Sequence, residues 1–391
     1  MQSVESYISR PMLALLLVLL LSCSSPPPAP ELRGIDNWIN SRPLTLQELR
    51  GNVVLIDFWT YSCVNCIRTF PYLRDWHDKY SRYGLVIIGV HTPEFEFEKD
   101  PENVGAAART HGLGYPIAQD NNYATWNAFY NNAWPAKYLI DKNGNVRYHH
   151  LGEGAYRETE EVIRELLAEA GVTLEHVDAD LAPGPELDEG AFAADPGRRL
   201  TRELYAGYER NETLPSSAFA TLVGSTPAYI MHEEYYLQKD ADIFYQDPGG
   251  HFNHFIYLQG LWRNGPESIT HARSTEDFED YVAIKFFATS VNAVMGADGP
   301  PQLTEGSAGS GERRTGALVR VTLDGHPLTP DQAGQDVQFD SAGNSFVLVD
   351  EPRLYRLVEL EEFASHDLRL SVNSSGLSLF TFTFGAYSEG P

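Results

Sequence analysis

The chain has 391 residues, 54 acidic against 29 basic side chains, a formal net charge of -25 at pH 7, and 12% aromatic residues. That length exceeds one ordinary hydrophobic core and points to two folded domains. The aromatic content argues against disorder, and the negative charge argues against nucleic acid and against electrostatic attachment to an anionic membrane. Three cysteines are too few for a framework of structural disulfides.

Taken in chain order, Arg10, the apolar run 12–21, Ser22 and Cys23 read as an export signal over residues 1–22, because the run is too short for an ordinary membrane-spanning helix. Leu20-Leu21-Ser22-Cys23 resembles a bacterial lipobox, which implies lipidation of Cys23 and a membrane anchor facing the periplasm or cell exterior. Cleavage nearby without lipidation is the alternative. Proline-rich residues 24–30 cannot build a core and read as a stiff tether within 23–33.

Residues 34–177 alternate between strand and helix. The run 53–59 suits a strand buried on both faces, and residues 67–80 have helical spacing with Pro71 as an expected kink. A second buried strand is expected at 85–90 and a proline-opened helix at 101–111. Strands at 137–140 and 146–150 are joined by Asp141-Lys142-Asn143-Gly144, a hairpin signal, and an amphipathic helix closes the unit at 158–170. This is the element order of an α/β thioredoxin fold. Residues 178–197, rich in Asp, Pro, Gly and Ala, read as a linker. From 198 to 391, short apolar runs at 317–323, 345–349, 354–358, 368–372 and 377–384 suit an all-β sandwich, jelly-roll-like, interrupted by the loop 296–316.

With Cys23 assigned to the signal, the remaining thiols form one C-x-x-C, Cys63 and Cys66. At a strand-to-helix junction, unpaired backbone N–H groups and the helix dipole favour the thiolate of the first cysteine. Cys63 is therefore the expected nucleophile, and Cys66, one turn on, the residue that resolves a mixed disulfide. Asp57 interrupts an apolar strand, where burial raises a carboxyl pKa, so it is expected to move protons to and from Cys66; a structural aspartate bonded to backbone is the alternative. Trp134-Pro135 sits where this fold places a cis-proline beside the cysteines, with the preceding residue pairing with substrate backbone, although an edge-strand proline also fits. Trp59, Trp134 and Pro135 are the expected substrate contacts. A lone C-x-x-C can be half a zinc site, but no second one exists, so neither metal nor cofactor is expected. His149-His150 and His251-x-x-His254 read as surface residues, and Asp141 to Asn145 as a turn rather than a calcium loop.

The segments 57–68, 91–98, 134–141 and 152–156 resemble the thioredoxin-like DipZ proteins, and 203–208, 323–325 and 381–385 resemble the β-sandwich tail of that family, which is likened to carbohydrate-binding modules. The resemblance implies thiol–disulfide exchange in the reducing direction on disulfide-containing exported proteins. DipZ-type proteins commonly carry a CcdA-like membrane domain that delivers electrons. This chain shows no multi-span region, so a separate CcdA/DsbD-like membrane donor is expected as partner. Two other functions compete. One is thiol peroxidase-like chemistry, for which the characteristic proline and threonine near the cysteine are lacking. The other is a binding protein whose sandwich recognises glycan or protein through Tyr235, Tyr236, Phe244, Tyr245, Phe252, Phe255, Tyr257 and Trp262; these rings also suit core and strand pairs.

Overall fold

The computed structural model describes residues 26–175, 177, 196–211, 228–297 and 316–386. The expected signal segment, Cys23, nearly all of the expected linker and most of the 296–316 loop lie outside the described residues. Among the described residues no helix is long and apolar enough to cross a membrane.

The first domain is a six-stranded sheet in the order β1-β4-β3-β2-β5-β6, with β1 Asn37–Ile39, β2 Val53–Trp59, β3 Leu85–His91, β4 Ile117–Gln119, β5 Ala136–Ile140 and β6 Val146–Leu151. Strand β2 lies at the centre, parallel to β3 and antiparallel to β5, and all seven of its residues are buried. That placement explains its unbroken apolar run, since both faces are covered. On one face lie α1 (Val64–Tyr80) and α4 (Tyr156–Glu169), whose Phe70, Leu73, Trp76, Ile163 and Leu166 pack on Val53, Leu55 and Ile87. On the other, Trp126 and Phe129 cover Ile56, Phe58, Ile88 and Val90.

Helix α2 (Pro101–Thr110) opens with proline at its first turn, and Asp100 accepts from the Glu102 N–H at 2.9 Å, so the missing proline donor is one the helix would have left unpaired anyway. The β5–β6 hairpin turns on Asp141, whose Oδ1 accepts from the N–H groups of Asn143 and Asn145, both at 2.9 Å, and on Gly144 at φ 79°. That carboxylate caps a turn. The short β1 and β4, and α3 (Ala124–Ala128), carry too few residues for periodicity to reveal. The expected tether needs correction at its end. Residues 27–29 pair with the hairpin: Val146 N donates to Pro27 O and Ala29 N to Gly144 O, each at 2.9 Å. An edge tolerates proline, which lacks a donor but keeps its carbonyl.

The second domain is strand-rich, a sheet whose main path runs β14 (Gln338–Phe339), β15 (Ser345–Val349), β12 (Ala317–Leu323), β16 (Arg353–Val372), β11 (Asp280–Ala297), β17 (Leu377–Gly385), β10 (Ile269–His271), β9 (Phe255–Asn264) and β8 (Asp242–Tyr245), with β7 (Leu204–Tyr205) beside β17 and β13 (His326–Pro327) beside β12. Two strands dominate it, β11 (Asp280–Ala297, 18 residues) and β16 (Arg353–Val372, 20 residues). They pair with each other along almost their full length, with irregularities near Ala288 to Asn292. The runs expected as separate strands at 354–358 and 368–372 are the two ends of β16, joined by a less buried middle. Strand β9 (Phe255–Asn264) packs on β11 without pairing to it, which makes the sheet double back into two layers. Of the aromatics weighed as sugar platforms, Tyr235, Tyr245, Tyr257 and Trp262 are buried core, while Phe244 and Phe252 are exposed.

The two domains share a packed boundary. Val64 and Phe95 of the first meet Val294 and Leu354 of the second, and Phe97 lies edge-on to Phe380 of β17 (Leu377–Gly385), with centroids 4.8 Å apart. Tyr205 OH donates to Glu94 Oε1 at 2.8 Å, and Arg210 pairs with the same oxygen at 3.2 Å.

Candidate active site

The end of β2 runs through Thr60, Tyr61 and Ser62 into α1, and Cys63 is the N-cap of that helix, in extended conformation at φ -81° and ψ 112°. Its sulfur accepts from the Cys66 N–H at 3.4 Å. Helix N-termini leave such N–H groups without intrahelical partners, so a thiolate at Cys63 is a natural acceptor for them. The Arg68 guanidinium, itself buried, adds attraction to a Cys63 thiolate and reaches Asn65 Oδ1 at 3.2 Å and Glu153 Oε1 at 3.8 Å. Both cysteines are free thiols; Cys63 is partly exposed and Cys66 is buried. The pair thus divides into a sulfur that solvent and substrate reach and one they do not.

Cys66 holds its proton tightly. Burial is the main cause, followed by the neighbouring Cys63 sulfur, with the Asp57 carboxylate adding repulsion. Asp57 is fully enclosed, and burial pushes its carboxyl up to about 7, against the pull of Lys137. Lys137 stands directly opposite Asp57 in the antiparallel β2–β5 register. It is also fully enclosed, burial lowers its pKa, and its Nζ lies 5.2 Å from the centre of the Tyr156 ring. Neither Asp57 oxygen nor the Lys137 Nζ has a protein hydrogen-bond partner. Buried polar groups are almost always paired, so a facing acid and base left this way call for a chemical explanation. A carboxyl near pH 7 that senses the Cys66 sulfur is suited to taking and returning its proton.

Glu98 fixes the residue before the nucleophile. Its Oε1 accepts from Ser62 N at 3.2 Å and Ser62 Oγ at 2.6 Å, and its Oε2 accepts from the N–H groups of Glu94 and, at 3.0 Å, Phe95. Burial pushes this carboxyl to about 7, while the Ser62 hydrogen bond works in the opposite sense. Neither Lys137 nor Glu98 stands out in a reading of the sequence by spacing. The available signal is a lysine inside the apolar strand Ala136–Ile140, which is as anomalous as the aspartate in β2.

The Trp134–Pro135 peptide is cis, Pro135 is buried, and Trp134 lies half-buried with its Nε1 donating to Thr92 O at 3.0 Å. Trp134 and Cys63 line one cleft of about 370 Å³, so the structure brings together Cys63, Cys66, Asp57, Trp134 and Pro135. Trp59 is corrected. It is fully buried, edge-on to Phe70 and His91 with centroids 5.2 and 4.9 Å away, and it supports the site from beneath instead of touching substrate. Four residues before the nucleophile, the chain is still inside β2.

Two family descriptions match the chain. Residues 28–149 match the AhpC/TSA family and residues 201–385 the family described as thioredoxin like C-terminal domain. The chain is 35% identical over 372 residues to Protein DipZ of Mycobacterium tuberculosis, covering 94% of this chain and 44% of that one. It therefore spans less than half the length of the DipZ proteins it matches. Its first domain is 33% identical to the thiol-disulfide oxidoreductase YkuV of Bacillus subtilis, over 36% of this chain and 95% of YkuV. A solved thioredoxin-like protein in its oxidized form shares 34% identity, with 37% of this chain and 97% of that one covered, at a TM-score of 0.35.

Proposed function

Because this chain belongs to the DipZ-like thioredoxin family, we propose that it is an exported reductant of protein disulfides, held to a membrane through lipidated Cys23 and recharged by a separate membrane-bound dithiol donor. The observation that carries the thiol chemistry is the pairing of a reachable sulfur at a helix N-terminus with a buried one backed by Asp57. The Cys63 thiolate attacks one sulfur of the substrate disulfide. That S–S bond breaks, a Cys63–substrate disulfide forms, and the departing thiolate takes a proton from solvent. Cys66 then gives its proton to the Asp57 carboxylate and attacks the Cys63 sulfur; the Cys63–substrate bond breaks, and the second substrate thiolate leaves and takes a proton from solvent. Two electrons have passed to the substrate, and the protein holds a Cys63–Cys66 disulfide until the donor dithiol reduces it.

The test is turnover of a chromogenic disulfide by the full chain with dithiothreitol as donor. Cys63→Ser is expected to abolish turnover, while Cys66→Ser accumulates mixed disulfides on Cys63. Wild-type turnover by Cys63→Ser overturns the assignment. Palmitate labelling and membrane fractionation test the anchor separately: an unlabelled, freely soluble protein overturns lipidation and leaves the thiol chemistry standing.

A further inference from the structure

Resting on that reading, we propose that the second domain is a wall of the active site, one that admits a cysteine on an extended polypeptide segment and turns away disulfides set in rigid folded surfaces. A thioredoxin-fold domain alone would present Cys63 on an open face. Here the cleft above it is closed from the far side by Leu200, Arg202 and Phe384. Its volume, about 370 Å³, falls at the lower end of the roughly 300–1,000 Å³ of small-ligand sites. A rigid partner instead docks over a flat face, up to about 600 Å² on each side even in a weak redox encounter. The space in front of the nucleophile is ligand-sized.

The wall is tied to the catalytic helix itself. Val64, the residue after Cys63, packs against Val294 and Leu354, and Glu94, which lines the cleft, is held by Tyr205 and Arg210 of the second domain at 2.8 and 3.2 Å. The approach is close: a Cβ on Gly385 would lie 2.8 Å from Arg68 Nη2, so the end of β17 leaves no room beside that guanidinium. The lining also suits a peptide. Arg68, Arg202, Glu94, Glu203 and Asn65 offer donors and acceptors on several sides, with the Trp134 ring as an apolar floor. That mixture matches the alternating N–H and C=O of an extended chain, each residue of which spans roughly 3.3–3.6 Å. A narrow segment could present one cysteine to Cys63 while its neighbours thread between the domains.

The experiment uses the reduced full chain and three nitrothiobenzoate disulfides with the same leaving group: the free reagent, a mixed disulfide on one cysteine of an unstructured peptide, and the same mixed disulfide on a surface cysteine of a rigid folded protein. The peptide is expected to react about 100-fold faster than the folded carrier, the order of penalty for reacting atoms held out of position. Leu200→Ala combined with Arg202→Ala trims partly exposed parts of the wall and is expected to recover most of that difference, read as the folded-to-peptide ratio within each protein. Equal peptide and folded rates, or reaction with the free reagent alone, overturn the proposal. Alkylation of Cys63 by free maleimide and by maleimide carried on a folded protein reads the same gate without redox turnover. If no disulfide reacts, the reductant reading fails, and the alkylation ratio alone decides the wall: a large ratio supports it and a ratio near one overturns it.

Discussion

The two domains bury polar groups in opposite ways. In the second, the Asp280 carboxylate receives His271 Nε2 at 2.9 Å and Arg273 Nη2 at 2.6 Å. Asn264 joins Tyr245 OH to the Tyr235 and Gln238 carbonyls. Gly260, at φ 98°, is required there because a Cβ would overlap the Asp280 carboxylate. In the first domain, buried polar atoms without a hydrogen-bond partner are numerous and include a group near the cysteines, both oxygens of Asp57, Lys137 Nζ, Trp59 Nε1, His91 Nδ1 and Tyr115 OH, beside others at Ser41, His77, Thr92 and Gln119. Among the described residues the second domain has such atoms only at Asn373 and Ser374. A satisfied buried network fixes architecture; an unsatisfied one costs stability and persists where a proton must move.

The sharpest way to break this contrast is Asp57→Asn. It is expected to slow resolution by Cys66 about 100-fold, the lower range for losing a general base, measured by single-turnover release of the second thiol. An unchanged rate would make Asp57 structural. Its effect on stability depends on Lys137, which the substitution leaves buried with its facing counter-charge gone and Glu153 still attracting it, so Asp57→Asn combined with Lys137→Met is expected to be the more stable of the two variants. In the second domain, Asp280→Ala leaves the buried His271 Nε2 without its acceptor, while Arg273 keeps Glu279 at 3.5 Å, and is expected to cost about 1–3 kcal/mol in denaturant titrations. The thiol-exchange rate of the molecules that remain folded should not change.

A subtler result is expected from Lys137→Met. Lys137 holds the Asp57 carboxyl below where burial alone would put it, so its removal should move the pH midpoint of resolution upward from about 7, read from rate against pH. A downward shift contradicts the pairing. The smallest effect distinguishes the Asp57 and Asp280 sites by pH. Asp57 and Glu98 hold their protons more tightly when folded, near pH 7 against ordinary values of 3.8 and 4.5. The stability they contribute is therefore greatest in acid, declines as pH rises from those ordinary values toward about 7, and then levels off. Asp280 is the reverse: burial alone would raise its carboxyl, but the hydrogen bonds from Arg273 and His271 hold it below the ordinary range. Its contribution is present above the unfolded value and is lost as pH falls through the folded one. Hydrogen exchange resolved by residue should show protection around Asp57 declining as pH rises from 3.8 toward about 7 and protection around Asp280 declining as pH falls below 3.8, and parallel profiles at the two sites would remove the distinction.

Legibility followed length and periodicity. Strand β2 and the second-domain strands Ala317–Leu323 and Ser345–Val349 have the bounds expected from their runs, because a strand covered on both faces or alternating strictly carries its own signal. Strand β11 escaped notice: it is longer than an ordinary strand and ends beside the 296–316 loop. Strand β16 reads as two because its middle carries Glu359, Glu361 and Glu362, all exposed to solvent.

By itself the sequence determined the cysteine pair and its place at the start of a helix. Two cysteines at the start of a helix are three residues apart, and that spacing alone puts them on adjacent turns with the first nearer the exposed end. Asp57 was legible for a similar local reason, a charge in an apolar strand. Only the tertiary structure decided what surrounds them. Lys137 meets Asp57 through strand register across 80 residues of sequence, Glu98 reaches Ser62 from another loop, and Leu200 and Phe384 close the cleft from another domain. Such contacts depend on how surfaces pack over long separations, and no periodicity in the chain encodes them.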